Sequence, residues 1–168
     1  MSMCSAVLQE FDAEAGTTRR VLERVPTDKL SWKPHPKSMS LGELALHVAA
    51  SPGVIAGWCC EDVTEFKGEK PPAPSSTADI LAAHDQGVNT VKEKLGQLGD
   101  EGLKGTWTAK AGGATLMAMP KSALVRAIVM NHWIHHRGQL SVYLRLLDVP
   151  VPSIYGPSAD ENPFAARA

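Results

Sequence analysis

The sequence is short of cysteine, of clustered positive charge and of long apolar runs. Cys4, Cys59 and Cys60 are an odd number with two adjacent positions, which fits neither a disulfide framework nor a C-x-x-C metal or redox motif. We therefore expect reduced thiols in a cytoplasmic protein. The formal net charge of −1 and the absence of a run rich in lysine and arginine argue against a nucleic-acid partner.

The sequence also lacks membrane-spanning segments and the common catalytic motifs. No uninterrupted apolar stretch approaches the roughly 18 residues that a membrane span needs, and no basic segment followed by an apolar run opens the chain. We therefore expect neither export nor membrane anchoring. The sequence contains no G-x-S-x-G, no phosphate-cradling glycine loop and no G-x-G-x-x-G, which argues against the usual serine hydrolases and nucleotide-binding enzymes.

The hydrophobic periodicity predicts an all-α fold, a four-helix bundle formed by one domain over residues 1–168. The predicted helices cover about 4–25, 40–60, 77–98 and 121–147. Ser40 and Glu43 form a capping-box pattern at the start of the second helix, whereas Pro52 and Gly53 inside it should kink it or cost it a hydrogen bond. The last segment, 150–168, is rich in proline and is expected to form an extended arm.

Two connections between the predicted helices are distinctive. Residues 67–76 contain three prolines and a glycine, and ten extended residues reach roughly 33 Å, about the length of a 20-residue helix. This crossover therefore allows the second and third helices to run parallel, and a flexible linker is the alternative. Gly112 and Gly113 permit a small hairpin between the third and fourth helices, although an irregular excursion fits these residues equally well.

The segment from Asn131 to Gln139 carries the strongest functional signal. His132 and His136 are four residues apart, so on a helix both imidazoles can reach one ion. His47 interrupts an apolar run of the second helix, where an unpaired buried imidazole would cost desolvation free energy. Three neutral imidazoles suit Zn²⁺, Ni²⁺ or Fe²⁺ and leave positions open for water or substrate, while a hydrogen-bonded polar core is the alternative interpretation. The residues that share the helix face of His47 are Glu43, Ser51, Val54 and Trp58.

The remaining histidines fit a metal site less well. His135 lies about 60° and about 100° around the helix from the two histidines of the pair, which places it on their flank. His84 lies in the apolar stripe of the third helix, where a backbone carbonyl usually satisfies a lone histidine. His35 is a loop residue between two prolines. Because Trp133 occupies the place of the glutamate in H-E-x-x-H, a zincin-type peptidase is disfavoured.

Four stretches of the sequence carry a family resemblance: Leu30-Ser-Trp-Lys-Pro34, Leu44-Ala-Leu-His-Val-Ala49, His132-Trp-Ile-His-His-Arg-Gly-Gln139 and Val151-Pro-Ser-Ile-Tyr-Gly-Pro-Ser-Ala-Asp160. Together they resemble the DinB/YfiT-like family of metal-binding four-helix bundles. The resemblance implies an up-down-down-up topology with a long crossover between helices two and three. It also implies a divalent metal held by His47, His132 and His136, a small-molecule substrate and a homodimer. Members of this family include thiol transferases, isomerases and proteins named as metal-dependent hydrolases.

The leading hypothesis is a metal-dependent enzyme that activates a low-molecular-weight thiol or water, and therefore an S-transferase or a hydrolase. Glu43, Gln139 and Tyr143 are candidate catalytic helpers because they follow or precede the histidines by one or two helical turns, although Glu43 also has a capping role. The alternative is a non-catalytic, metal-stabilised binding or stress-response bundle. That alternative predicts a site closed by a fourth ligand such as His35 or His84.

Overall fold

Four helices carry most of the fold in the computed structural model, which describes residues 2–68 and 71–165. Helix α1 spans Met3–Leu22, α2 spans Leu41–Cys59 and α3 spans Thr77–Leu103, with a 3₁₀ turn, Thr27–Lys29, between the first two. Helix α4 covers residues 121–146 in three consecutive segments, which are Lys121–Leu124, the π-helical Val125–Asn131 and His132–Leu146. The prediction of a mostly helical protein with four helices is confirmed. None of the helices in the described part of the chain is long and apolar enough to cross a membrane.

Local sequence explains several helix boundaries. The Ser40 hydroxyl accepts a hydrogen bond from the Glu43 amide at 3.1 Å, and the Glu43 carboxylate accepts one from the Ser40 amide at 2.7 Å, which together form a capping box. Ser76 and Asp79 form the same motif at the start of α3. Helix α3 is interrupted at Gly99, whose φ of 59° and ψ of −175° are open almost only to glycine. The end predicted for the third helix lies at this break, and a short helical continuation follows it.

A small sheet corrects the all-α prediction. Strand β1, Val63–Glu65, pairs in parallel with β2, Thr106–Ala111, and β2 pairs antiparallel with β3, Ala114–Pro120. Gly112 and Gly113, with φ of 56° and 78°, form the two-residue turn of the β2–β3 hairpin, where positive φ is required at both positions. The permitted hairpin therefore forms. Strand β1 escapes sequence prediction because three residues are too few to show alternation.

Two polar interactions and an aromatic stack attach the sheet to the helices. The Trp107 indole N–H donates to the Thr64 hydroxyl at 2.9 Å, and the Lys121 ammonium lies 2.9 Å from the Asp62 carboxylate. The Trp107 ring also stacks on Trp58 of α2, with centroids 5.9 Å apart. The sheet is therefore joined to both α2 and the start of α4.

Helix α4 contains the feature that decides which of its side chains face the core. The His132 amide donates to the Ala127 carbonyl, five residues earlier, which is the π-helical pattern. The wider turn rotates the residues that follow, and the buried positions become Trp133, Arg137, Leu140 and Leu144. For a regular helix over 121–147 the sequence predicts a core stripe that continues through His132, His136, Gln139 and Tyr143, but these four side chains are only half-buried. These side chains lie at the edge of the core because the π segment shifts the buried face by one residue.

The arm after α4 contacts α1 through a buried arginine. The Arg137 guanidinium lies 2.6 Å from the Glu14 carboxylate and donates to the Tyr155 hydroxyl at 2.6 Å. That hydroxyl donates in turn to Glu14 at 2.9 Å, so the buried charge is paired and hydrogen-bonded. Residues 150–165 contain no helix or strand, and residues 166–168 of the predicted arm lie outside the described chain.

The predicted crossover, residues 67–76, also lacks helix and strand in its described part, residues 67–68 and 71–76. Residues 69 and 70 of this segment lie outside the described chain. Its second half returns to the surface of α2, because Pro74 lies against Gly42 and would be 3.3 Å from a Cβ added there. The crossover therefore packs against α2 in addition to connecting α2 with α3.

Helices α2 and α3 approach most closely at two glycines. A Cβ added at Gly53 would lie 2.8 Å from the Gly87 Cα, and one added at Gly87 would lie 2.9 Å from the Ala49 carbonyl oxygen. Both neighbours are backbone atoms, so the helices would have to separate to admit a methyl group. The two glycines therefore set the distance between α2 and α3.

We predict that Gly87→Ala lowers the free energy of unfolding by roughly 1–3 kcal/mol through this overpacking, although alanine favours helix over glycine by up to about 1 kcal/mol. Gly96→Ala is the matched control on the same helix, since a Cβ at this exposed position meets no atom within 4 Å. The control should stabilise the protein by roughly 0.5–1 kcal/mol. Urea denaturation followed by circular dichroism measures both variants, and equal effects would contradict the close approach.

Candidate metal centre

Three half-buried histidines meet between α2 and α4. His47 lies in the second turn of α2, and His132 and His136 lie one turn apart on α4. One ring nitrogen of each residue lies within 4.8 Å of the corresponding nitrogens of the other two. The ring centroids are 4.4 to 5.1 Å apart. The fold thus brings together the three histidines that the sequence nominates, and their nitrogens can hold a metal ion.

A hydrogen bond orients the ring of His136. Its Nδ1 lies 2.7 Å from the Gln139 Oε1, which can only accept, so Nδ1 carries the proton. Nε2 therefore presents a lone pair, and it lies 3.0 Å from Nε2 of His132. Two imidazole nitrogens bound at about 2.1 Å to one ion lie about 3.0 to 3.4 Å apart for angles from about 90° to tetrahedral. The observed separation fits two ligands of one ion.

Burial keeps the three imidazoles neutral near pH 7. It is the main reason that the pKa of His47 is lowered to about 4, with the charges of His136 and His132 as smaller causes. Burial also lowers the pKa of His132 and of His136. Neutral imidazole is the form that binds metal. Among the described residues, Nδ1 of His132 is buried without a hydrogen-bond partner.

The three candidate helpers occupy different surroundings. Glu43 completes the capping box of α2 and lines a cavity beside the cluster. Gln139 contacts the cluster directly, through the hydrogen bond described above. Tyr143 lies further along α4, where its hydroxyl donates to the Met39 carbonyl at 3.3 Å and its ring packs edge-on against Trp32.

The other three histidines lie outside the cluster. His135 is exposed, with its ring beside that of its neighbour in sequence. His84 is buried against Trp133, and the Nδ1 atom of His35 accepts from the Lys37 amide at 3.2 Å in a loop. Within residues 2–68 and 71–165, no fourth histidine, cysteine, aspartate or glutamate joins the group. The cluster therefore supplies three protein donors from the described chain.

One hydrogen bond aligns α4 with α2 at the level of the histidines. Because Pro52 has no N–H, the carbonyl of Val48, four residues earlier, lacks its helical donor. The Trp133 indole N–H donates to that carbonyl at 2.8 Å. His47 immediately precedes Val48 and His132 immediately precedes Trp133, so this bond holds the histidine-bearing turns together. Sequence reasoning missed the bond, and the available signal was a proline inside a predicted helix, which leaves one carbonyl to be satisfied.

A cavity of about 600 Å³ lies beside His47 and His132. Its walls come from α2, from residues 71–74 of the crossover and from Ile128 of α4. The residues predicted to share the His47 face all contribute to it, namely Glu43, Ser51, Val54 and Trp58. The contribution of residues 71–74 to the cavity was not predicted from the sequence. That of Ile128 could have been, because Ile128 lies one helical turn before His132.

Comparison with known proteins identifies the family. The model of the DinB family matches residues 1–163. The chain belongs to the DinB family. Two proteins of Bacillus subtilis (strain 168), named as the uncharacterized proteins YrdA and YjoA, are similar to it, with 28% identity over 159 residues and 25% identity over 149 residues. These matches cover 92% and 86% of this chain and 89% and 91% of the two relatives.

Solved structures of DinB-like proteins resemble the fold of this DinB-family chain. A DinB-like protein from Bacillus cereus ATCC 10987 matches it with a TM-score of 0.71 and 25% identity, over 90% of this chain and 97% of that one. The DinB-like protein YjoA from Bacillus subtilis matches with a TM-score of 0.67 and 24% identity, over 86% of this chain and 96% of that one. The resemblance read from the sequence is confirmed at the level of the family and its fold.

We predict that Trp133→Phe lowers the free energy of unfolding by roughly 1–3 kcal/mol, because it leaves the buried Val48 carbonyl without a donor. In a Pro52→Ala background the alanine amide can supply the helical bond, so the same substitution should cost about 1 kcal/mol less. The lost ring volume is common to both backgrounds and cancels. Urea denaturation of the four proteins gives the coupling energy, and an equal cost in both backgrounds would show that the carbonyl is not what Trp133 satisfies.

We also predict that the metal-free protein loses stability as the pH falls from about 6.5 to about 4. Histidine in the unfolded chain has a pKa of about 6.5, whereas that of folded His47 is about 4, so between these values the unfolded state binds a proton that the folded state excludes. Denaturant unfolding in the presence of a chelator measures this decline. His47→Gln should flatten it and the loop substitution His35→Gln should not. An unchanged decline in His47→Gln would contradict the assignment of this loss of stability to the protonation of His47.

Proposed function

We propose that this DinB-family chain is a metal-dependent enzyme whose divalent cation, Zn²⁺, Ni²⁺ or Fe²⁺, is held by His47, His132 and His136. The observation that carries the proposal is the cluster of three neutral imidazoles beside a cavity of about 600 Å³. Catalytic zinc sites have three protein ligands, whereas structural sites are closed by four. When bound, such a cation acts as a Lewis acid that lowers the pKa of a thiol or of water.

The chain's own residues position the donors and the substrate. Gln139 keeps the proton of His136 on Nδ1, so that Nε2 stays available, and is therefore a positioning residue. The Tyr143 hydroxyl donates to the carbonyl of Met39, which lines the cavity. Its role is therefore to position the cavity wall. Glu43 is the only one of the three helpers in the cavity wall, and we assign its carboxylate the role of receiving the proton that a thiol or water releases on ionising.

The family resemblance supports the finer parts of this proposal. We propose a low-molecular-weight thiol as cosubstrate of a small-molecule electrophile, with hydrolysis as the related reaction when water takes the place of the thiol. We further propose a cytoplasmic homodimer, with each chain forming one domain of up-down-down-up topology. The long crossover between α2 and α3 supports that topology, because it has the length to return the chain across the bundle.

A non-catalytic, metal-stabilised bundle is the alternative from a different class of function. It calls for a site closed by a fourth ligand, for which His35 and His84 were the candidates. Neither lies in the cluster, so the enzyme is the better-supported proposal.

The first expected result is metal content. Elemental analysis of the native protein should give about one divalent cation per chain. His47→Ala, His132→Ala and His136→Ala should each lose most of it, because a site with three protein ligands would be left with two. Gln139→Leu should weaken metal binding by roughly 10- to 100-fold through loss of the orienting hydrogen bond. The neighbouring His135→Ala is the control and should retain the metal. Retention by all three cluster variants would refute the site.

The same proteins test the reaction. Metal-loaded protein incubated with bacillithiol, mycothiol or glutathione and the electrophile monochlorobimane should show turnover that chelation and the cluster substitutions abolish, while His135→Ala remains active. Absence of metal-dependent turnover with every thiol removes the transferase, and absence of ester hydrolysis in parallel removes the hydrolase. A protein that melts at lower temperature on chelation but has neither activity would support the non-catalytic bundle.

A further inference from the structure

The walls of the cavity beside the histidines select against charge. Apart from Glu43, His47, Ser51 and His132, every described residue that lines it is apolar. Among the described lining residues there is no lysine or arginine, so a carboxylate or phosphate placed in the part of the cavity away from the histidines would be desolvated without a cation to compensate it. Glu43 does not call for a cationic ligand, because its carboxylate accepts from the Ser40 amide at 2.7 Å and lies 3.7 Å from the Lys33 ammonium.

One wall residue is polar and unsatisfied. Ser51 is 8% exposed, and its hydroxyl is buried without a hydrogen-bond partner among the described residues. Serine inside a helix commonly donates to the carbonyl four residues earlier, but this hydroxyl does not. It lies four residues beyond His47 on the same face of α2, which corresponds to about 6 Å along the helix axis. The hydroxyl is covered in this conformation, and a rotation about χ1 toward the cavity would let a ligand supply the missing donor or acceptor.

The cavity is also of a size and rigidity that suit a small molecule. Its volume of about 600 Å³ lies within the range of about 300–1,000 Å³ that holds drug-sized ligands. One wall contains Pro71, Pro72 and Pro74, whose ring-locked φ angles restrict the backbone. Most of the other lining residues belong to the helix α2. Little ordering is therefore required when a ligand enters.

We propose that this cavity binds the uncharged, apolar body of a small-molecule substrate, aromatic or branched aliphatic, and that Ser51 receives one polar group of that body. The inference deepens the proposed function and rests on it only for the reacting end of the molecule, which would face the histidines. Ser51 and the wall formed by Val54, Ile128 and residues 71–74 then determine specificity.

A matched pair of fluorescent probes tests the charge selection. N-phenyl-1-naphthylamine is uncharged, and 8-anilinonaphthalene-1-sulfonate is the same scaffold with one sulfonate. Titration of the full chain, both metal-loaded and chelated, should show the uncharged probe binding at least about tenfold more tightly than the sulfonate. Equal or tighter binding of the sulfonate would overturn the inference.

Substitutions locate the binding. Val54→Trp fills the cavity from an exposed position of α2 and should weaken the uncharged probe by about tenfold or more. Val142→Trp is the matched control, since Val142 is 56% exposed where Val54 is 54% and it lies outside the cavity wall. It should leave the affinity within about twofold. Equal effects of the two substitutions would place the probe elsewhere and overturn the inference.

Ser51→Ala separates a binding role from a structural one. It should weaken the uncharged probe by roughly fivefold without lowering the melting temperature, because the hydroxyl has no hydrogen-bond partner among the described residues to lose. An unchanged affinity would remove Ser51 from the proposal. If the probe pattern is as expected but no turnover is found, only the proposed function fails. If turnover is found without the probe pattern, only this inference fails.

Discussion

The hydrogen bond between the Trp133 indole and the Val48 carbonyl connects the two halves of the histidine cluster. It exists because Pro52 withholds a backbone N–H from α2, at a cost that is about 3 kcal/mol relative to alanine in an ordinary helix interior. A buried carbonyl without a donor would add to that cost. The indole satisfies it, and in doing so fixes α4 relative to α2 next to His47 and His132. A local defect of one helix has thus become an attachment point for another.

The segment of α4 around the histidines divides its residues between two tasks. His132, His136 and Gln139 form the half-buried face of the candidate metal site. Trp133 and Arg137 form the buried face, where the first bonds α2 and the second pairs with Glu14 of α1. The π-helical turn just before His132 sets this division, because its five-residue hydrogen bond rotates everything that follows. Trp133 and Arg137 of the histidine-rich segment therefore have structural roles.

Sequence patterns were most reliable where the interaction is local. The capping box of Ser40 and Glu43 marks the start of α2, Gly99 marks the break in α3, and the two glycines at 112 and 113 mark the hairpin. Each depends on backbone conformation or on hydrogen bonds within a few residues. Patterns failed where the partner is remote. Strand β1 is stabilised by pairing with residues 108–110, more than forty positions away, and its three residues carry no period of their own.

For the candidate site, helical spacing was enough to place His132 and His136 on one face and to group Ser51 and Val54 with His47. Spacing along a chain reports which residues share a surface, but not which surfaces meet. The meeting of α2 with α4, the rotation of α4 by its π segment and the return of residues 71–74 over the cavity depend on packing between distant segments. Only those long-range contacts bring His47 together with His132 and His136 in one cluster and place an apolar cavity beside it.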